Sequence, residues 1–354
     1  MSKLDLLRNK LSEASIDAIY VTDELNIRYI IGIEVQDAAM LITRNDAFLL
    51  TDFRYQEVAS RSLGDEFTVS TVSDRFDFVK KHLTDAGISS LGFEGRAVTY
   101  NYYLGLKDAF TDFSLKDADL AFTELRMVKT QDEIDKIQRS QDITDKAFSE
   151  LLKVIRTDMT EIEVAAELEY LMRKLGSDGP AFSTIAVSGD ASSLPHGEPR
   201  GVKLKRGFLT LDFGSRFEGY CSDMTRTIVI GKADEDMKKL YNTVLSAQLA
   251  ALEYLEAGRD AGEADAVARR IIDKDYQGAF GHSLGHGVGL LVHESPALTP
   301  RAKGRILVPG NIVTVEPGIY LASKYGCRIE DMVAICDNGI HNFTHSTKEL
   351  IEIY

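Results

Sequence analysis

Tryptophan is absent from this chain, and its 354 residues include only three cysteines, Cys221, Cys327 and Cys336. So sparse and odd a set of thiols argues against a disulfide framework and suits a reducing compartment. Nothing approaches the run of about eighteen apolar residues that a membrane-spanning helix needs. The N-terminal MSKLDLLRNKLSEASIDAIYV alternates charge with apolar residues and lacks the apolar stretch of a signal peptide, so a cytoplasmic address is expected. Basic residues are in the minority, 41 Lys and Arg against 55 Asp and Glu, for a formal charge of −14. That balance disfavours nucleic acid, which needs a basic stripe to meet its phosphates. No membrane partner is expected either. Proline is scarce, with seven residues and none before Pro180. Six of the seven histidines lie at or after His196, His82 being the exception. Chemistry-capable side chains are therefore concentrated in the C-terminal half.

What is present suffices for a large core, with 44% hydrophobic residues and a length that suggests two domains. Residues 1–124 read as an alternating α/β unit. LDLLRNKLSEA, FRYQEVASRSL and FDFVKKHLTDAG have helical periodicity. IDAIYVTD, FTVSTV and SSLGFEG read as strands, and AAMLITRNDAFLLTD as a hairpin turning at Arg44-Asn45-Asp46. Residues 125–354 form the second domain. Thr130 with Glu133, and Thr160 with Glu163, have capping-box spacing ahead of apolar-periodic stretches, the second ending at Gly176. AFSTIAVSG, FLTLDFGSRF and MTRTIVIG read as strands. Two further helices follow, then a His- and Gly-rich stretch and a last hairpin, NIVTVEPGIYL with CRIEDMVAICDNG.

One phrase is written twice. LTLDFG occupies 209–214 and VTVEPG occupies 313–318. Each sets a carboxylate where a strand would bury its side chain, and each opens a predicted hairpin with a second acid on the return strand. Asp212 is followed by Asp223, and Glu316 by Glu330. A cysteine precedes each second acid, Cys221 and Cys327, and a methionine follows, Met224 and Met332. The echo predicts a pseudo-twofold repeat whose two hairpins bring four carboxylates together. Unpaired, such a cluster costs several kcal/mol per buried charge. Arg or Lys partners relieve it, and so do hard divalent cations, which favour carboxylate oxygens. GHSLGHGVGLLVHESP offers nitrogen ligands in His282, His286 and His293. Thiols are soft ligands, so Cys221 and Cys327 read as small buried apolar residues.

These residues resemble the pita-bread metallopeptidases, the family of methionine aminopeptidase, aminopeptidase P and prolidase. The family's Asp, Asp, His, Glu, Glu metal set falls on Asp212, Asp223, His286, Glu316 and Glu330. PAFSTIAVSGDASSLPHGEP, HSLGHGVGLLVHE, EPGIY and CRIED are similar to the proline-specific branch, as are NIRYIIGI and TDFRY nearer the N-terminus. The resemblance implies an α/β N-terminal domain of the creatinase/prolidase type, RNase H-like, followed by an α+β pita-bread catalytic domain with a pseudo-twofold repeat. It implies an exopeptidase that hydrolyses the Xaa-Pro bond of short peptides through a hydroxide bridging two divalent ions. Asp223 and Glu330 would bridge the ions, Asp212 would hold one, and His286 with Glu316 the other. Mn²⁺ is the expected metal, with Co²⁺ or Zn²⁺ as alternatives. Glu316 is the expected base and proton shuttle. His293 and His196 are expected to hydrogen-bond the tetrahedral intermediate and the substrate backbone. Arg328 is expected beside the site, neutralising excess carboxylate charge, while His282 and Tyr320 are expected to contact substrate. The N-terminal domain is expected to narrow access and to support a homodimer, with Asp52, Arg54 or Tyr55 facing the partner's site.

Three alternatives stay open. An Xaa-Pro aminopeptidase and an Xaa-Pro dipeptidase would share this catalytic set, the aminopeptidase being favoured. Creatinase-like hydrolysis of a guanidino compound is disfavoured by the complete ligand set. A catalytically dead pita-bread binding protein would hold no stoichiometric metal.

Overall fold

Helices in this chain begin where a side chain can satisfy the unpaired amides of a first turn. Ser2, Asp23, Asp52, Asp74, Thr99, Thr130, Thr160, Asp234 and Asp260 all cap in this way. The computed structural model describes residues 1–354, which divide into two compact units, Met1–Leu125 and Arg126–Tyr354.

In the first unit the order is α1 (Lys3–Glu13), β1 (Ala18–Val21), α2 (Glu24–Ile31), β2 (Ala39–Thr43), β3 (Ala47–Thr51), α3 (Phe53–Ser62), β4 (Thr68–Thr71), α4 (Arg75–Asp85), β5 (Ser90–Phe93), α5 (Tyr100–Ala109) and β6 (Ser114–Asp117). The unit boundary falls within α6 (Asp119–Met127). The strands make one mixed sheet, β4-β3-β2-β1-β5-β6. The β2–β3 hairpin is antiparallel and turns where RND predicts, while β5 and β6 join in parallel. Tyr20, Leu41, Leu50, Val79, Leu83, Leu106 and Phe110 pack a core against one face of the sheet. Beyond β5, the fully buried Glu94 carboxylate accepts the Thr22 and Asp23 amides and the Asn26 side chain. Burial pushes its pKa up to about 7 against the pull of those donors. Asp52 of TDFRY caps α3 and pairs with Arg54, which also reaches Asp37, while the Tyr55 hydroxyl donates to Gln36.

The second unit is built twice from a helix pair and a long hairpin. The first half has α7 (Gln131–Val154), α8 (Glu161–Lys174), β7 (Gly179–Pro180), β8 (Ile185–Ser188), β9 (Gly207–Phe213), β10 (Ser215–Phe217), β11 (Tyr220–Cys221) and β12 (Met224–Ile230). The second has α9 (Glu235–Tyr254), α10 (Ala261–Ile272), β13 (Gly285–Gly287), β14 (Glu294–Leu298), β15 (Ile312–Val315), β16 (Gly318–Leu321), β17 (Tyr325–Arg328), β18 (Asp331–Ile335) and β19 (Ile340–Asn342), with β20 (Glu352–Ile353) returning to pair with β12. Both predicted capping boxes form, at Thr130 with Glu133 and at Thr160 with Glu163. Helices α7 and α8 share a core with β9 and β12 through Phe148, Leu151, Leu168, Leu211, Phe213 and Ile228. Helices α9 and α10 do the same for β15 and β18 through Leu240, Val244, Ala264, Val313, Val315 and Val333.

The echo has a structural counterpart. The antiparallel β9–β12 ladder encloses a short inner ribbon, β10–β11, and the β15–β18 ladder encloses another, β16–β17. All four acids lie at the junction between ladder and ribbon. FLTLDFGSRF, expected as one strand, breaks at Gly214, where the chain passes so close to Ser222 that a Cβ would sit 1.9 Å from its carbonyl oxygen. AFSTIAVSG is strand only over Ile185–Ser188.

Candidate metal centre

The acids converge because register places them together. Asp212 pairs with Thr225 across β9–β12, Asp223 immediately precedes Met224 of β12, Glu316 follows β15, and Glu330 precedes β18. The Glu330 amide donates to the Thr225 carbonyl, tying the two hairpins at this level. Between them lies a cavity of about 560 Å³. Its wall includes all four acids with His196, His282, His286, His293 and Arg328. Tyr320 is not on that wall. It stands behind, with its hydroxyl between His282 and Arg328.

His286 sits at the middle of β13, its amide bonded to Thr314 Oγ1 on β15. Burial and the neighbouring His293 ring push its pKa down to about 3, so the imidazole is neutral. Nδ1 faces the Gly287 carbonyl oxygen at 3.2 Å, and a carbonyl can only accept, so Nδ1 carries the proton. The Nε2 lone pair then points toward Glu316 Oε1 at 3.3 Å and Asp223 Oδ2 at 3.5 Å. A neutral imidazole aimed at two carboxylates gains nothing from either as a charge partner. It is poised as a ligand.

The carboxylates are under matching pressure. Burial first, then neighbouring carboxylates, raises Asp223 and Glu330 well above the usual range. Burial raises Glu316 to about 8, against the pull of Arg328. Arg328 is the single guanidinium facing four acids. Its Nη2 donates to Asp212 Oδ2 at 2.6 Å, Nη1 to the Tyr320 hydroxyl at 2.6 Å, and Nε to Thr225 Oγ1 at 3.0 Å. Two buried oxygens of the cluster, Asp212 Oδ1 and Glu330 Oε1, find no hydrogen-bond partner. Ligand atoms of Asp223, His286 and Glu330 all lie within 4.8 Å of one another. Orphaned buried carboxylate oxygens, too little positive charge and an aimed imidazole lone pair together fit a divalent cation.

The surrounding residues fix these groups. Thr225 Oγ1 donates to Glu330 Oε2 at 2.7 Å, and Thr314 Oγ1 to Glu316 Oε1 at 3.1 Å. Thr314 lies in the doubled phrase and Thr225 in MTRTIVIG, and neither stands out in the sequence as a site residue. Fully buried Arg226 braces the return strand by donating to the Glu330 carbonyl and pairing with Asp331. His282 Nδ1 donates to the Ser283 carbonyl, leaving Nε2 to accept from Tyr320, whose hydroxyl accepts from Arg328. Burial and Arg328 push His282 down to about 4. The exposed His293 meets the His286 ring edge-on at 4.1 Å, and Glu294 beside it is held by Arg126 and Lys129. Cys221 and Cys327 are buried, and burial pushes Cys327 up to about 12, which keeps it protonated.

Residues 135–337 match metallopeptidase family M24, and residues 3–128 match the Creatinase/Prolidase N-terminal domain. The chain is 35% identical over 352 residues to an Xaa-Pro dipeptidase of Pyrococcus furiosus, with 99% of each protein covered. It is similar in structure to an Xaa-Pro dipeptidase from Bacillus anthracis, at TM-score 0.95 and 40% identity over 99% of both chains. It is also similar to an X-Pro aminopeptidase from Thermotoga maritima, at TM-score 0.92 and 37% identity over 100% of both.

Proposed function

The chain belongs to metallopeptidase family M24, and from that premise we propose that it hydrolyses the Xaa-Pro bond at the N-terminus of short peptides. The observation that carries this reading is the convergence of four carboxylates and His286 on one cavity with two orphaned carboxylate oxygens. Asp212, Asp223, His286, Glu316 and Glu330 would hold two divalent ions, Mn²⁺ by preference, with Co²⁺ or Zn²⁺ as substitutes. Charge supports the pair, since Arg328 alone offsets one of the four carboxylates. When bound, the ions supply a Lewis acid for the scissile carbonyl and a water acidic enough to attack near neutral pH.

The protein's own groups do the rest. Glu316 takes the proton of the attacking water and passes it to the prolyl nitrogen, which must be protonated to leave as a neutral amine. His293 and His196 donate hydrogen bonds to the carbonyl oxygen as its charge develops and to the substrate backbone. His282 and Tyr320 steady the substrate side of Arg328. Arg328 orients Asp212 through its 2.6 Å bond.

The aminopeptidase reading is preferred to the dipeptidase reading. A dipeptide presents its proline carboxylate inside the site and calls for a cation there. Arg328 is the one Arg or Lys on the wall, and its nitrogens are committed to Asp212, Tyr320, Thr225 and the Pro195 carbonyl. The dipeptidase names of two of the three relatives favour the second reading. A paired assay on Mn²⁺-loaded enzyme with Ala-Pro and Ala-Pro-Ala, and Glu316→Ala as control, decides it. Comparable or faster tripeptide cleavage establishes the aminopeptidase, and cleavage of the dipeptide alone establishes the dipeptidase. No cleavage of either substrate would overturn the proline specificity. The enzyme is further proposed to be a cytoplasmic homodimer in which Asp52, Arg54 or Tyr55 faces the partner subunit's site. Unchanged kinetics and dimer mass in Arg54→Ala would remove that role.

A further inference from the structure

One continuous stretch of the cavity wall runs from Pro195 to Pro199, with His196 within it. This stretch is the far part of a strap that leaves β8 at Ser188, turns through the 3-10 segment Gly189–Ser193 and rejoins the body at Arg200. The His196 imidazole makes no hydrogen bond within the chain, so the strap backbone sets its place. What holds the strap therefore decides where His196 points.

Both ends of the strap meet on one side chain. Glu161 begins α8 and is fully buried. Its Oε1 accepts from the Ser188 amide at 2.7 Å, the Ser188 hydroxyl at 2.8 Å and Arg200 Nη2 at 2.6 Å. Its Oε2 accepts from the Arg200 amide at 3.0 Å and Arg200 Nε at 2.8 Å. Burial alone would raise its pKa, but Arg200 and Ser188 outweigh burial and hold it below the usual value. An anion in the first turn of α8 also suits the helix dipole. Backbone bonds from Glu161 to Val202 and from Ile162 to Arg200 stitch the returning chain to the same turn. On the cavity side the strap rests on β17 by lighter contacts, from the Gly326 amide to Ser192 Oγ and from Arg328 Nη1 to the Pro195 carbonyl at 3.3 Å. The strong attachment is at the root, where a charged fork closes the loop.

We propose that Glu161 is a positioning residue for His196, clamping both ends of the strap so that this wall of the cavity is preformed for substrate. The inference rests on the substrate role given to His196 above. Its consequence is a binding effect separate from metal binding and from the chemical step, because Glu161 touches neither the acids nor His286.

The test uses the Mn²⁺-loaded full chain with whichever of Ala-Pro-Ala and Ala-Pro it cleaves. Glu161→Gln keeps the volume but turns one acceptor into a donor that faces donors. KM is expected to rise roughly tenfold, with kcat changed by less than about threefold and bound manganese unchanged. Amide exchange over residues 189–199 should quicken. His196→Ala should raise KM comparably, and the double variant should be no worse than His196→Ala alone. An unchanged KM in a folded Glu161→Gln overturns the clamp, as does a double-variant KM equal to the product of the single effects. An unchanged KM in His196→Ala overturns the substrate role itself and the inference with it, whatever Glu161→Gln does. Should Glu161→Gln fail to fold, Arg200→Lys keeps the charge and loses the fork. It should raise KM in the same sense, and an unchanged KM there is equally fatal to the clamp.

Discussion

Thr225 does two jobs with one hydroxyl. It donates to Glu330 Oε2 and accepts from Arg328 Nε, joining an acid of the proposed centre to the cation that offsets the cluster. Thr225→Val keeps the shape and deletes both bonds. Partners of this kind typically affect metal affinity by about 10–100-fold, so Mn²⁺ affinity should fall about tenfold in calorimetric titration of the variant. An unchanged affinity would show that Thr225 only fills space. At the same scale, Glu94 makes a prediction about pH. Its folded pKa stands near 7, above the ordinary 4.5 of the unfolded chain. The folded state therefore holds a proton that the unfolded state has lost between those values, and stability falls as pH rises through that window. The full effect is on the order of 3 kcal/mol. Urea midpoints should drop between pH 5 and pH 8, and Glu94→Gln, whose amide can still meet Asn26, should flatten that dependence. A slope that survives in Glu94→Gln would assign it to another group.

Glycines set how closely the ladders approach. A Cβ on Gly285 of β13 would lie 1.9 Å from the Thr314 carbonyl oxygen and 2.9 Å from Thr314 Oγ1. That hydroxyl holds both the His286 amide and Glu316. Gly285→Ala must push β13 off β15, and overpacking of this kind costs about 1–3 kcal/mol or more. Thermal denaturation should show the loss, and metal analysis after dialysis should show less bound manganese than in the native chain. Full retention of metal would mean that β13 can shift without moving His286. Much at this scale was legible in the sequence. The long helices announced themselves by capping boxes and periodicity, and the acids by interrupting strands that should bury apolar side chains. Helices α2, α5 and α6 and strand β6 are not legible in the sequence: α2 buries five of its eight residues and shows no stripe, α5 buries Leu106 alone, α6 is only nine residues long, and β6 buries none of its four. Thr225 and Thr314 were illegible as site residues for another reason. Threonine is at home on any strand, and only the packing of the two hairpins brings the Thr225 hydroxyl to Glu330 and Arg328 and the Thr314 hydroxyl to the His286 amide.

Over the whole catalytic unit, the two halves each carry a complete core and meet where charge is least welcome. Asp212 and Asp223 come from the first hairpin, Glu316 and Glu330 from the second, and Arg328 is the cation between them. Without further positive charge this contact is costly, since burial first and the neighbouring acids second raise the Asp223, Glu316 and Glu330 carboxyls. Divalent ions held from both sides would turn the repulsion into a crosslink between halves. Ligands that bind only the folded state stabilise it by mass action, about 2.7 kcal/mol at a hundredfold excess over Kd. Chelation should therefore lower the melting temperature, and readdition of Mn²⁺ should restore it. Glu330→Gln, which weakens one side of the crosslink, should shrink the difference. Amide exchange should rise on both hairpins together when metal is removed, because each half loses the same partner. Loosening of one hairpin alone, with the other unmoved, would mean that the metal belongs to one half and that the doubled phrase does not build a shared centre.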